Sequence, residues 1–217
     1  MNIEQARFNM IEQQIRPWEV LDQGVLSLLA VVKREDFVPA GCRALAFFDT
    51  EVPLPQGQAM LAPKVEARLL QALHVARHER VLEVGAGSGH MAALLAHKAQ
   101  RVITLEIRPA LVAMAAANLR HAGIANAEVR QADGSHGLPT EAPFDVIVLS
   151  GSVAEVPQVL LDQLKPGGRL VAVVGQEPVM SATLFTRVAA TQFKREPLFD
   201  TVAPRLQGFA EPAPFRF

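Results

Sequence analysis

A single cysteine, Cys42, cannot close an internal disulfide, and without clustered cysteine or histidine partners it cannot form a structural zinc site. It reads as a small packed residue. An excess of either charge is also missing: 21 basic against 22 acidic side chains leave a net charge of -1, so no phosphate-tracking surface and no nucleic-acid partner are expected. No apolar run approaches the roughly 20 residues needed to cross a bilayer. The opening residues carry Glu4, Arg7 and Glu12 where a secretory leader would be apolar. The expectation is a cytoplasmic chain with no membrane partner. The six histidines form no H-E-x-x-H or H-x-H set, and no metal site is expected. His74 and His78 are four apart, but they fall beside a break into the next strand and read as solvated helix-end residues. No G-x-S-x-G nucleophile elbow is present either.

At 217 residues and 50% hydrophobic, the chain can fill one well-cored domain with an appendage. Its most informative stretch is Val81-Leu82-Glu83-Val84-Gly85-Ala86-Gly87-Ser88-Gly89-His90. A short apolar run ends near an acid, and three alternate glycines lead into the periodic segment from Met91 to Ala96, which reads as strand, tight turn and helix start. Bare backbone amides at a helix N-terminus are a place for a ligand to lie. The dinucleotide fingerprint G-x-G-x-x-G would put its third glycine where His90 stands, which disfavours an NAD oxidoreductase. The pattern is E-x-G-x-G-x-G. It resembles motif I of the Rossmann-like methyltransferases, and that resemblance implies S-adenosylmethionine as cofactor and S-adenosylhomocysteine as product. It also implies Glu83 near the methionine amino group, with Gly85, Ala86, Gly87, Ser88 and Gly89 beside the methionine moiety.

Upstream, Ile3, Phe8, Ile11 and Ile15 predict a first helix ending at Arg16-Pro17, and Val25, Leu26, Leu29 and Val32 a second capped by Asp22. Val31-Val32-Lys33-Arg34-Glu35-Asp36-Phe37-Val38-Pro39 resembles the V-P-R-E-x-F-V-P segment of the protein-L-isoaspartate O-methyltransferases, and Met10 to Ile15 resembles their M-V-E-x-Q-I segment. The stretch from Ala46 to Pro63 resembles the family's A-Y-x-D…P-L-P-I-G…Q-T-I-S-x-P segment, which implies a lid over the cofactor and part of the substrate site. Asp49, Pro53, Gln58 and Pro63 keep the frame, while the family's threonine and serine fall on Ala59 and Leu61. Leucine offers no hydrogen bond. Gln58, Thr50 or a backbone amide is then the candidate to take over the serine's contact with substrate.

Beyond Pro63 helical and strand periods alternate. Val65, Leu69, Leu70 and Leu73 mark a helix. Arg101 to Glu106 is a strand, Leu111 to Leu119 a helix, Ala127 to Gln131 a strand, and Phe144 to Leu149 a continuous apolar strand for the middle of a parallel sheet. Glu106, with Ile107 behind it, closes its strand about 20 residues past the glycine turn, where an acid can accept from both ribose hydroxyls. Asp133-Gly134 resembles the segment whose aspartate bonds the adenine amino group. Ser150-Gly151-Ser152 ends the apolar strand with neither the Asn/Asp-proline signature of amino-group methyltransferases nor the aspartate of metal-dependent O-methyltransferases, and Ser150 joins the cofactor candidates. Leu164 to Val171 resembles the L-K-P-G-G-x-L turn of the superfamily. Thr183 to Val188 and Gln192 to Thr201 predict a closing hairpin, and Pro204 to Phe217 a proline-rich segment over the surface.

The expected architecture is α/β, a Rossmann-like seven-stranded methyltransferase sheet, mostly parallel with a C-terminal antiparallel hairpin. Residues 1–63 would be N-terminal helices and lid, and 64–217 the S-adenosylmethionine-binding core, in one integrated domain. The resemblance implies methylation of a carboxylate on isoaspartyl residues of damaged protein or peptide substrates. A carboxylate is already ionised at neutral pH, so its methylation needs alignment and exclusion of water and no general base. A methyltransferase for another acceptor, or a protein that binds the cofactor without turnover, are the alternatives that Leu61 raises.

Overall fold

A computed structural model of the chain describes residues 2–211. Seven strands form the main sheet in the order β5-β4-β3-β6-β7-β8-β9. They are β3 (Arg80–Val84), β4 (Arg101–Glu106), β5 (Ala127–Gln131), β6 (Phe144–Val153), β7 (Leu164–Gln176), β8 (Val179–Ala189) and β9 (Gln192–Asp200). The first five run parallel, and β8 and β9 close the sheet antiparallel. Chain order reverses outward from β3, with β4 on one side and β6 on the other. A crevice therefore opens at the carboxyl ends of those three strands, where open α/β sheets bind their ligands.

Alternation along the strands sorts the side chains between two faces. Val81, Val146 and Val148 pack on one, and Leu82, Val84, Ile147 and Leu149 on the other. The first face carries α3 (Pro63–Leu73), α4 (His90–Lys98) and α5 (Pro109–His121), and α6 (Gln158–Asp162) covers part of the second. Glu83 lies two residues from Val81 and so projects into the helix-covered face, although it is fully buried.

The N-terminal segment packs into the same apolar cluster as α3 and α4, through Met10, Ile11, Ile15, Val25 and Phe37. Its first helix, α1 (Ile3–Asn9), passes into a wider π turn over Met10–Ile15, and α2 (Gln23–Val31) follows with the Asp22 carboxylate accepting from the Val25 amide at 2.9 Å. The apolar spacing that predicts the first helix includes Ile3 and Phe8, yet both are exposed, because the extra residue of the π turn turns the buried stripe onto Met10, Ile11 and Ile15. The segment that resembles the lid is a small antiparallel hairpin, β1 (Val52–Leu54) and β2 (Gln58–Met60). The C-terminal end departs from expectation. Pro204 to Leu206 does not lie loosely over the surface: Ser152 of β6 donates its amide to Pro204 (2.8 Å) and accepts from the Leu206 amide (2.9 Å), which straps the segment across the crevice. Residues 212–217 of that predicted segment lie outside those described.

Candidate active site

The crevice at the ends of β3, β4 and β6 holds about 540 Å³ of space between atoms, open solvent included. Its walls are Gly85 and Gly87 of the glycine turn, Glu106 and Ile107 at the end of β4, Gln58 and Ala59 of the lid hairpin, and Pro204 to Gln207 of the strap. A smaller cavity of about 270 Å³ adjoins it, sharing Ala59, Gly85, Gly87 and Ser150, and reaches under the lid to Leu61, Glu66, Glu83 and His90.

Gly85 shows why the turn needs glycine. Its φ of +93° is left-handed backbone, and a Cβ there would stand 2.7 Å from Leu206 and 3.6 Å from the Ser150 carbonyl. Gly89 serves a different end. A Cβ on it would meet the Ala115 backbone at 3.2 Å, so this glycine lets α4 press against α5 and lines neither cavity.

Two carboxylates flank the turn. Glu106 accepts from the Gly87 amide through Oε2 and from the Arg108 amide through Oε1, both at 3.0 Å, and each oxygen retains a lone pair toward the crevice it lines. Glu83 accepts from the Ser150 hydroxyl through Oε1 at 2.6 Å, while Oε2 is buried without a hydrogen-bond partner among the described residues. Burial pushes the Glu83 carboxyl up to about 8, against the pull of the Ser150 and Thr104 hydroxyls. A buried carboxyl oxygen without a partner is the mark of a site shaped for a group that comes from outside.

Of the other candidates, Ile107, Gly134 and Ser150 line the main crevice, and Ala86, Ser88 and Ser150 the smaller cavity. Asp133 is exposed at the rim. Its Oδ1 caps the Ser135 amide at 2.9 Å, and the strap crosses so closely that a side chain at Gly208 would collide with it. Gln58 lines the crevice; Thr50 is exposed and lines neither cavity.

Beneath the lid lies a buried charge cluster that sequence reading does not find. Arg34 grips the Glu66 carboxylate with Nη1 and donates to the Leu61 carbonyl through Nη2 at 2.6 Å, so one guanidinium holds both α3 and the lid. His90 Nδ1 stands 2.9 Å from the same Glu66 Oε2, and the Phe37 ring meets the imidazole edge-on at 5.3 Å between centroids. Burial alone would raise the Glu66 pKa, but Arg34 and His90 pull it below the ordinary carboxylate range. Burial pulls Arg34 down from its usual range against the Glu66 charge. One signal for Glu66 was present: it lies on the stripe of Leu69, Leu70 and Leu73, where a charge has no business without a partner. Arg34 and the strap carry no comparable signal.

A family model described as Protein-L-isoaspartate(D-aspartate) O-methyltransferase (PCMT) matches residues 5–202. The chain is similar to a protein-L-isoaspartate O-methyltransferase of Koribacter versatilis, 40% identical over 89% of this chain and 87% of that one. It is also similar to protein-L-isoaspartate O-methyltransferase 1 of Rhodopseudomonas palustris, 41% identical over 96% and 86%. A Plasmodium falciparum chain assigned as a protein-L-isoaspartate O-methyltransferase, and solved in complex with S-adenosyl-L-homocysteine, shares the fold with a TM-score of 0.81 at 22% identity, over 95% of this chain and 99% of that one.

Proposed function

Since the chain belongs to the protein-L-isoaspartate(D-aspartate) O-methyltransferase family, we propose that it transfers the methyl group of S-adenosylmethionine to the side-branch carboxylate of isoaspartyl residues in damaged cytoplasmic proteins. The observation that carries this reading is the pair of strand-end carboxylates on either side of a bare glycine turn. Glu83 has a buried oxygen without a partner and Glu106 has lone pairs to spare. These residues fit the cofactor: Glu106 would take the ribose hydroxyls, the turn the methionine backbone, and Glu83 its ammonium.

When bound, S-adenosylmethionine supplies a methyl group on a sulfonium, an electrophile that an ionised carboxylate attacks directly. The protein's own part is alignment and exclusion of water. The lid hairpin and the strap wall the crevice from opposite sides, and the Ser150 hydroxyl fixes the Glu83 carboxylate. Leu61 takes the place of the family's serine in this alignment. It is 4% exposed with its carbonyl held by Arg34, and it forms apolar lid floor. We assign the acceptor-side polar contact to the Gln58 amide, which lines the crevice, and not to Thr50.

Incubation with methyl-labelled S-adenosylmethionine and matched isoaspartyl and aspartyl peptides tests the proposal. Base-labile label on the isoaspartyl peptide alone is expected. Cofactor binding without label on either peptide would sink the repair assignment, and recovery of label in Leu61→Ser would locate the loss at that residue.

A further inference from the structure

The smaller cavity contains a second unpartnered polar atom. His90 is 2% exposed, and its Nε2 is buried with no hydrogen-bond partner among the described residues, on the wall that Glu83 also lines. Its other nitrogen is spoken for. Nδ1 faces Glu66 Oε2 at 2.9 Å, and a carboxylate can only accept, so Nδ1 carries the proton. The Arg34 Nη1 group 3.5 Å from that nitrogen is itself a donor and makes no bond to it; its partner is Glu66. In the tautomer that this bond selects, with its proton on Nδ1, Nε2 is the ring's accepting nitrogen.

The polar inventory of the cavity is therefore lopsided. Ser150 spends its hydroxyl proton on Glu83 Oε1, so once Glu83 is ionised its Oε2 joins His90 Nε2 as a second buried acceptor, against which the protein sets the Thr104 hydroxyl opposite on β4 and the Ser88 hydroxyl of the turn. A carboxylate would bring more acceptors, and a hydrocarbon would bring nothing. An ammonium brings three donors and no acceptor.

We propose that His90 Nε2 and Glu83 Oε2 together bind the α-ammonium group of the cofactor's methionine moiety, with the Glu66–Arg34 pair holding His90 in the tautomer that can accept. The assignment rests on the cofactor reading above and deepens it. Glu66 and Arg34 are positioning residues here: they touch His90, and through it select which end of the ligand's amino acid lies in the cavity. They also tie that selection to the lid, because the same guanidinium holds the Leu61 carbonyl.

Calorimetric titration of the full chain and of His90→Phe with S-adenosylhomocysteine, and with its analogue lacking the amino group, separates the possibilities. His90→Phe is expected to weaken S-adenosylhomocysteine about ten- to a hundredfold, and to leave the desamino analogue within about twofold. Equal weakening of both ligands would overturn the assignment, since the lost contact would then not involve the ammonium. A second readout needs no variant. In the unaltered protein the ¹⁵N resonance of His90 Nε2 should be that of an unprotonated ring nitrogen and shift when S-adenosylhomocysteine is added. A protonated Nε2 in the free protein would also overturn the assignment. Failure of S-adenosylhomocysteine to bind the unaltered protein would bring down the cofactor reading itself, an outcome distinct from either of these.

Discussion

On the strand side of the crevice, Glu83 and Glu106 reach their places because each ends a short apolar strand, and the pairing of neighbouring strands fixes where it points. On the lid side, Leu61 is placed by Arg34, and Arg34 by Glu66, which also orients His90, across separations of 24 to 32 residues. The first arrangement is local geometry repeated along a sheet. The second is a buried network in which every member depends on another, so removing a member should disturb much more than its own contacts. The strand side is also where folding and binding conflict. Glu83 is held half-satisfied, whereas on the lid side the Glu66 carboxylate is doubly met.

The largest effect is therefore expected at Arg34. Arg34→Met strips Glu66 of its cation while leaving it buried, and such a loss typically destabilises by about 3–5 kcal/mol. Urea unfolding should show a lower midpoint at an unchanged slope. Adding Glu66→Leu removes the orphaned charge and should recover at least half of the loss. If Arg34→Met alone shifts stability by less than about 1 kcal/mol, the cluster behaves like an exposed pair and the contrast between the two sides dissolves.

Glu83→Gln sharpens the contrast from the opposite side. A carboxyl raised from 4.5 to about 8 in the folded chain keeps a proton that the unfolded chain has already released. Across that window stability falls as pH rises, because the unfolded state binds fewer protons. Replacing Glu83 should remove this slope and make the ligand-free protein more stable at pH 8, by about 1–3 kcal/mol. Cofactor binding should move the opposite way. The ammonium needs the ionised carboxylate, so in the native protein affinity should climb by up to about tenfold per pH unit until about pH 8, and Glu83→Gln should flatten that climb while weakening binding. Parallel melting curves and titrations between pH 6 and 9 read both. A variant no more stable than the parent at pH 8 would mean that Glu83 carries no folding penalty.

The same division decides what could be read from the sequence. Alternating apolar runs, the spacing of Gly85, Gly87 and Gly89 and the acids that end two strands are local patterns, and they give the strands of the sheet and both carboxylates. The resemblance puts Gly89 at the cofactor with its neighbours, and spacing cannot tell a glycine that meets a ligand from one that meets a helix. The partnership of Arg34, Glu66 and His90 has no local pattern, since it exists only once the N-terminal segment lies against α3 and α4. The strap was missed for a related reason. Its hold on Ser152 uses backbone groups, which any residue but proline can supply in full, so side-chain identity says little about it.

Leu206 gives a smaller effect and probes that strap. Its side chain fills the space above Gly85 and beside Gly151, and Leu206→Ala should lower stability by about 1–2 kcal/mol, less than a fully buried leucine because this one is partly exposed. The crevice wall loosens with it. Affinity for S-adenosylhomocysteine is expected to fall a few-fold by titration, and an unchanged affinity would confine the strap to a structural role.

Gln58→Ala should have the smallest effect and is the most selective test of the lid. Gln58 is half-buried on β2 at the crevice, and its amide makes only a long 3.5 Å contact with the Gln56 carbonyl, so its removal leaves the fold nearly untouched. If that amide meets the acceptor, its loss removes one hydrogen bond to a charged group in a partly solvated place, and the peptide KM should rise about three- to tenfold. Cofactor affinity should stay within about twofold, because the proposed cofactor contacts belong to the turn, the strand ends and His90. A rise in cofactor Kd that matches the rise in peptide KM would show instead that β2 serves the cofactor, and the division of the crevice into a strand side and a lid side would then no longer separate cofactor from acceptor.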